Sequence, residues 1–247
     1  MRPLFKFDVN QDTLIAGVAG IGMIVISILM IPFSGENTFN KIVSFFLRDV
    51  LMIFGLGIVF VSLFVDRKGR EVLSDIGFTK NKITLSLILD VVFALALMGI
   101  FLKKGVPSDI INLSNFYAAV YIITAGIFEM TFIYGYLRMS FENAFGTIPA
   151  ILLTSAFYSF HHAGFQPEFL HLFWVGIMYC SVFYITRNLL IIFPFFWAVG
   201  ALWDVIVSSE AGKGIKNIES FGIAVIVWVL IGIWYIYQSK RRRIYLE

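Results

Sequence analysis

Eight apolar runs, each near the length of a membrane-crossing helix, divide this 247-residue chain and limit what it can fold into. Roughly 20 apolar residues, at about 1.5 Å rise each, cover the hydrocarbon of a bilayer. The runs are Thr13–Phe33, Ile42–Val65, Ile83–Leu102, Tyr117–Leu137, Thr147–Phe165, Glu168–Thr186, Leu189–Ser208 and Phe221–Gln238. They predict an all-α, polytopic membrane helix bundle of about eight transmembrane helices, a single integral membrane domain over 1–247. Composition agrees, since 59% of the residues are hydrophobic and 27 are Phe, more than a soluble domain carries.

Charge sets the expected orientation. Arg2, Lys6, Arg67, Lys68, Arg70, Lys80, Lys82, Arg138, Arg187 and the cluster Lys240 to Arg243 fall on the N-terminal side of the spans. Lys41, Lys103, Lys104, Lys213 and Lys216 fall on the other. The positive-inside rule then puts both termini in the cytoplasm of a multi-pass cell-membrane protein. The net charge of +3 reflects these anchors, so no nucleic acid is expected as a partner. The single cysteine, Cys180, excludes an intramolecular disulfide. The longest cytoplasmic loop, Asp66–Lys82, reads as an interfacial turn or a short helix.

Ionisable groups inside a span cost about 2.5–3.5 kcal/mol on insertion scales, so each needs a reason. Arg48 and Asp49 are adjacent and can partly neutralise one another. Asp90 has no obvious sequence partner and reads as structural. Glu129 has apolar or aromatic neighbours for a turn on either side, in GIFEMTFIYGYL. A buried carboxylate of this kind is paired, protonated or facing a wet cavity, and each fate suits an acid or base. The fifth run ends AFYSFHHAGF and supplies His161 and His162. About 100° separates neighbours on a helix, so only one of the two is expected to face the interior. His171 lies near the outer interface and reads as structural. Asp204, in GALWDVI, falls at a depth similar to His162; Glu129 counts as shallower unless the fourth span continues past Leu137 through Arg138-Met-Ser-Phe-Glu.

These residues resemble the CPBP family of intramembrane proteases, which includes the type II CAAX prenyl endopeptidases and the bacteriocin-immunity (Abi) proteins. The family pattern is EExxxR on one helix, FxxxH on the next, and HxxxN or HxxxD on a later one. Glu129 matches the first glutamate, while Met130 and Tyr134 stand where the second glutamate and the arginine would be. The second motif reads Tyr158-Ser-Phe-His-His162; the register Phe157 to His161 matches FxxxH literally. The third falls at Gly200-Ala-Leu-Trp-Asp204, with Gly200 for the histidine. The resemblance covers residues 115–208, which it implies are the core carrying the motifs.

It implies an intramembrane endopeptidase in which Glu129 and His162 activate water and Asp204 takes the oxyanion-side position. Tyr134, Asn188 and His171 are candidates to replace the missing groups, and His161 is the histidine of the alternative register. The implied substrate is a membrane protein or a lipidated peptide. A catalytically silent relative, acting as a membrane scaffold or immunity protein, is the alternative. A small transporter also explains buried acids, but no inverted repeat or pair of broken helices is visible. Glu129, His162, Asp204 and His171 could in principle share a metal, yet no HExxH or other ligand spacing supports one, and no cofactor is expected. Glu129 and His162 are expected to face one polar cavity among the fourth, fifth and seventh spans.

Overall fold

The computed structural model describes residues 3–105, 109–162, 167–208 and 214–244. Eight principal helices follow the eight apolar runs: α1 (Gln11–Leu29), α2 (Thr38–Lys68), α3 (Ile83–Lys103), α4 (Leu113–Phe145), α5 (Thr147–His161), α6 (Phe169–Thr186), α7 (Phe195–Ser208) and α8 (Ile218–Ile244). No strand occurs among the described residues. Among the described residues six helices are long and apolar enough to cross a membrane, with α1 carried on to Phe33; α5 and α7 are shorter. The protein is a multi-pass integral membrane protein. The expected end of the fifth run at Phe165, and Lys213, lie outside the described residues.

Local chemistry explains the helix starts. Asn10, Asn37 and Asn112 precede α1, α2 and α4, and their side chains accept from the backbone N–H of Thr13, Asn40 and Asn115. Such caps satisfy donors that a helix N-terminus leaves free. Face selection then follows from period and environment. On α1, Ala16, Gly20, Met23 and Ser27 are buried, while Leu14, Val18, Ile21 and Val25 are exposed. Both sets recur at three- and four-residue spacing. The outward set is fully apolar, as a helix with lipid on its outer side requires.

The fourth helix forms the centre. Phe128, Met130, Phe132, Ile133, Tyr134, Tyr136 and Leu137 are all buried, and the stretch Glu129–Leu137 is wound more widely, as a π-helix. The fourth span therefore runs eight residues beyond its expected end, because nothing in RMSFENAF breaks a helix before Gly146. Gly146 has φ +87°, and a Cβ there would lie 2.8 Å from the Leu4 carbonyl oxygen and from Phe5 Cα. Only glycine allows the N-terminal segment to lie across this corner, where Lys6 N–H and Asp8 N–H donate to the carbonyls of Phe145 and Ala144.

Arg138, counted by charge on the N-terminal side of the spans, is a fully buried side chain. Its Nη1 donates to Glu142 Oε2 at 2.9 Å, its Nε to the Tyr134 carbonyl at 2.8 Å, and its Nη2 to the carbonyls of Asp75 and Ile76 at 2.6 and 3.1 Å. The guanidinium also stacks over Phe183, 4.0 Å from the ring centroid. Glu142 in turn accepts from Arg187 and Thr147. Asn188 donates to the carbonyls of Thr79 and Asn81. Together these bonds fasten the short helix Val72–Ile76 and the loop after it to the ends of α4 and α6.

Candidate functional site

Extending α4 to Phe145 makes α4 and α5 an antiparallel pair hinged at Gly146. Counted from that corner, His161 lies 15 residues forward, about 22 Å at α-helical rise, and Glu129 lies 17 residues back, nine of them in the wider and shorter π-helical stretch. The two groups thus reach the same level, and the depth difference expected from a shorter fourth span disappears. His161 is the last residue of α5, and His162 leaves the helix with φ −81° and ψ +37°. That change of backbone brings both rings to one side, with centroids 3.9 Å apart. The expectation that only one histidine faces inward does not hold, because it assumed a helix continuing through both.

Glu129 is 8% exposed and His161 also 8%. Glu129 Oε1 lies 3.4 Å from His161 Nε2 and 3.7 Å from His162 Nε2. Its second oxygen, Oε2, accepts a 2.7 Å hydrogen bond from Trp197 Nε1 of α7. Glu129, His161 and His162 line one cavity of about 410 Å³ with Met30, Arg48, Met52 and Tyr121 among its other walls. The cavity is thus bounded by α1, α2, α4 and the end of α5, and α7 reaches the site only through Trp197.

Arg48 and Asp49 form the pair that adjacency suggested. Arg48 Nη2 lies 3.1 Å from Asp49 Oδ2, Tyr121 Oη donates to Asp49 Oδ1 at 2.6 Å, and the guanidinium sits 4.9 Å from the Tyr121 ring centre. Asp49 is fully buried, whereas the Arg48 side chain is one-third exposed and faces the cavity. Adjacency accounts for the pairing; that its cation shares a cavity with Glu129 comes only from packing α2 against α4.

Asp204 is elsewhere. It lines a second cavity of about 380 Å³ with Lys104, His171, Tyr179, Gly200 and Ser208. Tyr158 and Trp197 also line it, and both touch the first site: Trp197 bonds Glu129, and the Tyr158 ring packs against both histidines at 5.6 and 5.1 Å. They separate Asp204 and His171 from the Glu129 cluster. Tyr134 is buried behind the cluster, its ring 5.4 Å from Tyr158 and 5.8 Å from Tyr179. Asn188 is occupied by the loop carbonyls described above. The space beside Gly200 is filled: a Cβ there would meet the Tyr179 hydroxyl at 2.7 Å.

Two supporting residues escaped the sequence reading. Trp197 and Tyr179 sit in ordinary aromatic-rich runs, so nothing local marks them. Asp90, the lone acid read as structural, has a structural role. Its carboxylate accepts from Phe196 N–H at 2.7 Å and Phe195 N–H at 3.4 Å, supplying across a helix interface the cap that Pro194 does not give α7. Trp197, the next residue, is thereby held towards Glu129.

Residues 111–202 match the family model described as type II CAAX prenyl endopeptidase Rce1-like. No curated protein and no solved structure gives a significant match. The matched segment contains α4, α5, α6 and most of α7, and with them Glu129, both histidines and Trp197.

Proposed function

With the Rce1-like match over residues 111–202 supporting membership of the CPBP family, a family of membrane proteases, we propose that this chain is an intramembrane endopeptidase hydrolysing a peptide bond of a membrane-associated or lipidated substrate. The observation that carries the proposal is the convergence of one carboxylate and two imidazoles on a cavity within the apolar bundle. Hydrolysis inside a membrane needs a base for water, a proton for the leaving amine and a donor for the oxyanion. Glu129 takes the proton from water as its oxygen attacks the scissile carbonyl. The proton then passes to the amine as the C–N bond breaks, with His161 and His162 beside it to hand it on. Trp197 fixes the carboxylate by binding Oε2, which leaves Oε1 turned towards the histidines. Arg48, the cation facing the same cavity, takes the oxyanion side in this reading. Asp204, across Tyr158 and Trp197, is a candidate for contact with a more distant part of the substrate.

A second reading is a silent relative that binds a membrane partner. It is supported by Tyr179 filling the place beside Gly200 where the family pattern has a histidine. N-terminal proteomics of membranes holding wild type, Glu129→Gln or His161→Ala/His162→Ala at equal levels separates the two. Peptide ends present only with wild type are the expected result. Identical sets of ends from three folded proteins would favour the silent reading.

A further inference from the structure

We propose that the groove among α3, α4 and α7, at the end of the bundle away from Gly146, binds one zwitterionic aminophospholipid, with an acyl chain inside and the head group at the mouth. This goes beyond the hydrolytic reading and does not rest on it. The groove has two parts. One is an apolar chamber of about 480 Å³, walled by Met98, Phe101, Phe116, Ala119, Leu202 and Ile206 among others. The other is a cavity of about 270 Å³ that carries Asp109, Ser114 and Lys216. Ile110, Asn112, Asn115 and Ile206 line both parts, so the apolar space opens directly into the polar one.

That division is the division of a lipid. The chamber falls within the roughly 300–1,000 Å³ of small-molecule sites. Ala119 lies six residues inside the start of α4, about 9 Å along its axis, so the chamber runs inward from the helix ends as an acyl chain does. Ile111, on its rim, is 95% exposed, an apolar side chain that nothing in the described chain covers. At the mouth, Lys216 Nζ donates to the Ile206 carbonyl at 3.0 Å. An ammonium has three donors, which leaves two for a phosphate. Asp109 brings the opposite charge, suited to the ammonium of the same head group. One cation and one carboxylate match a zwitterion, whereas a head group with phosphate alone sets like charge against Asp109. The mouth is also built. Ser114 Oγ donates to the Lys216 carbonyl, and Asn115 Nδ2 donates to the Ile110 carbonyl at 2.7 Å, which ties the segment before α8 and the loop before α4 to the start of α4.

The occupant is distinct from anything held at Glu129. Among the described residues, the chamber and the Glu129 cavity share no lining side chain. Phe101 and Trp203 stack face to face, with centroids 4.5 Å apart, and line both the chamber and the Asp204 cavity. A bound chain therefore braces this aromatic wall from the side opposite Asp204.

The test is lipid retention by the whole chain, purified in mild detergent, washed free of lipid and titrated with palmitoyl-oleoyl phosphatidylethanolamine, with bound lipid counted by native mass spectrometry. Wild type is expected to keep a single lipid per chain, and Ala119→Phe, which fills the chamber, to lose it. Lys216→Ala and Asp109→Asn are each expected to weaken retention about threefold or more, the scale of partly exposed charge pairs. Phosphatidylglycerol with the same chains is expected to bind more weakly, and chain-free glycerophosphoethanolamine to leave the lipid in place. Equal retention by wild type and Ala119→Phe, equal affinity for phosphatidylglycerol, or displacement by the free head group or by a lipidated peptide would overturn the proposal. Where a variant does not fold, wild type in the same detergent decides with a phosphatidylethanolamine carrying a photoreactive chain: cross-links confined to α3, α4 and α7 support the site, and cross-links spread over α1, α6 and α8 refute it. Because the readout is lipid retention, its failure leaves the hydrolytic reading intact, and absence of hydrolysis leaves the lipid site intact.

Discussion

Replacing Arg138 with Met asks whether the buried pair behind the site holds α4, α6 and the Val72–Ile76 helix together. Arg138 and Glu142 are both 0% exposed at the side chain. Removing one partner of a buried ion pair costs about 3–5 kcal/mol, because the other charge stays buried. Glu142 retains Arg187 and Thr147, which lowers the cost. The carbonyls of Asp75 and Ile76 lose their donor, which raises it by about 1–3 kcal/mol for each group left unsatisfied. The expected destabilisation is therefore about 4 kcal/mol. Arg187→Ala removes the outer partner of the same carboxylate. Arg187 is 41% exposed, so solvent screening limits its loss to about 1 kcal/mol or less. Arg138→Met/Glu142→Met removes both charges and is expected to be more stable than Arg138→Met alone. Reversible unfolding in mixed micelles with rising denaturing detergent, followed by tryptophan fluorescence, measures all four proteins. An Arg138→Met protein within about 1 kcal/mol of wild type, or one no worse than Arg187→Ala, would refute the reasoning.

Trp197→Phe keeps most of the ring and deletes the donor to Glu129. A hydrogen bond to a charged group contributes about 1.5–3 kcal/mol, so peptide-bond hydrolysis is expected to fall at least tenfold, read as the appearance rate of the peptide ends that wild type generates. Asp90→Ala leaves the first N–H groups of α7 uncapped and is expected to cost about 1–3 kcal/mol in the same unfolding assay, with Asp90→Asn milder because its amide oxygen still accepts. Gly200→Ala puts a methyl 2.7 Å from the Tyr179 hydroxyl and is expected to destabilise by about 1–3 kcal/mol. Adding Tyr179→Phe removes the hydroxyl and is expected to recover most of that loss, which thermal unfolding of the double variant checks.

The helices were legible because each apolar run satisfies the length and composition that a membrane demands. Their ends were less so: α4 continues through Arg138, a charge that looked like a loop residue until Glu142 and the loop carbonyls were seen around it. Glu129 and the two histidines stood out as polar groups among apolar ones, and their meeting required the hairpin at Gly146. His162 joined the site only because its backbone leaves the helix, which no periodicity reveals. Arg48, Trp197 and Asp90 act through contacts between helices far apart in sequence, so the one-dimensional pattern marked two of them as charges in a span and the third not at all. Asp204 shows the reverse case, a residue at a fitting motif position whose cavity is separated from Glu129 by two aromatic side chains.

The central claim, that water is added to a peptide bond at Glu129, is tested most directly by incubating reconstituted protein and membrane extract in heavy-oxygen water and sequencing the released peptides by mass spectrometry. The expected result is new C-terminal carboxylates carrying the heavy oxygen with wild type and none with Glu129→Gln, both proteins being equally folded. Equal labelling at the same bonds with the two proteins would contradict it.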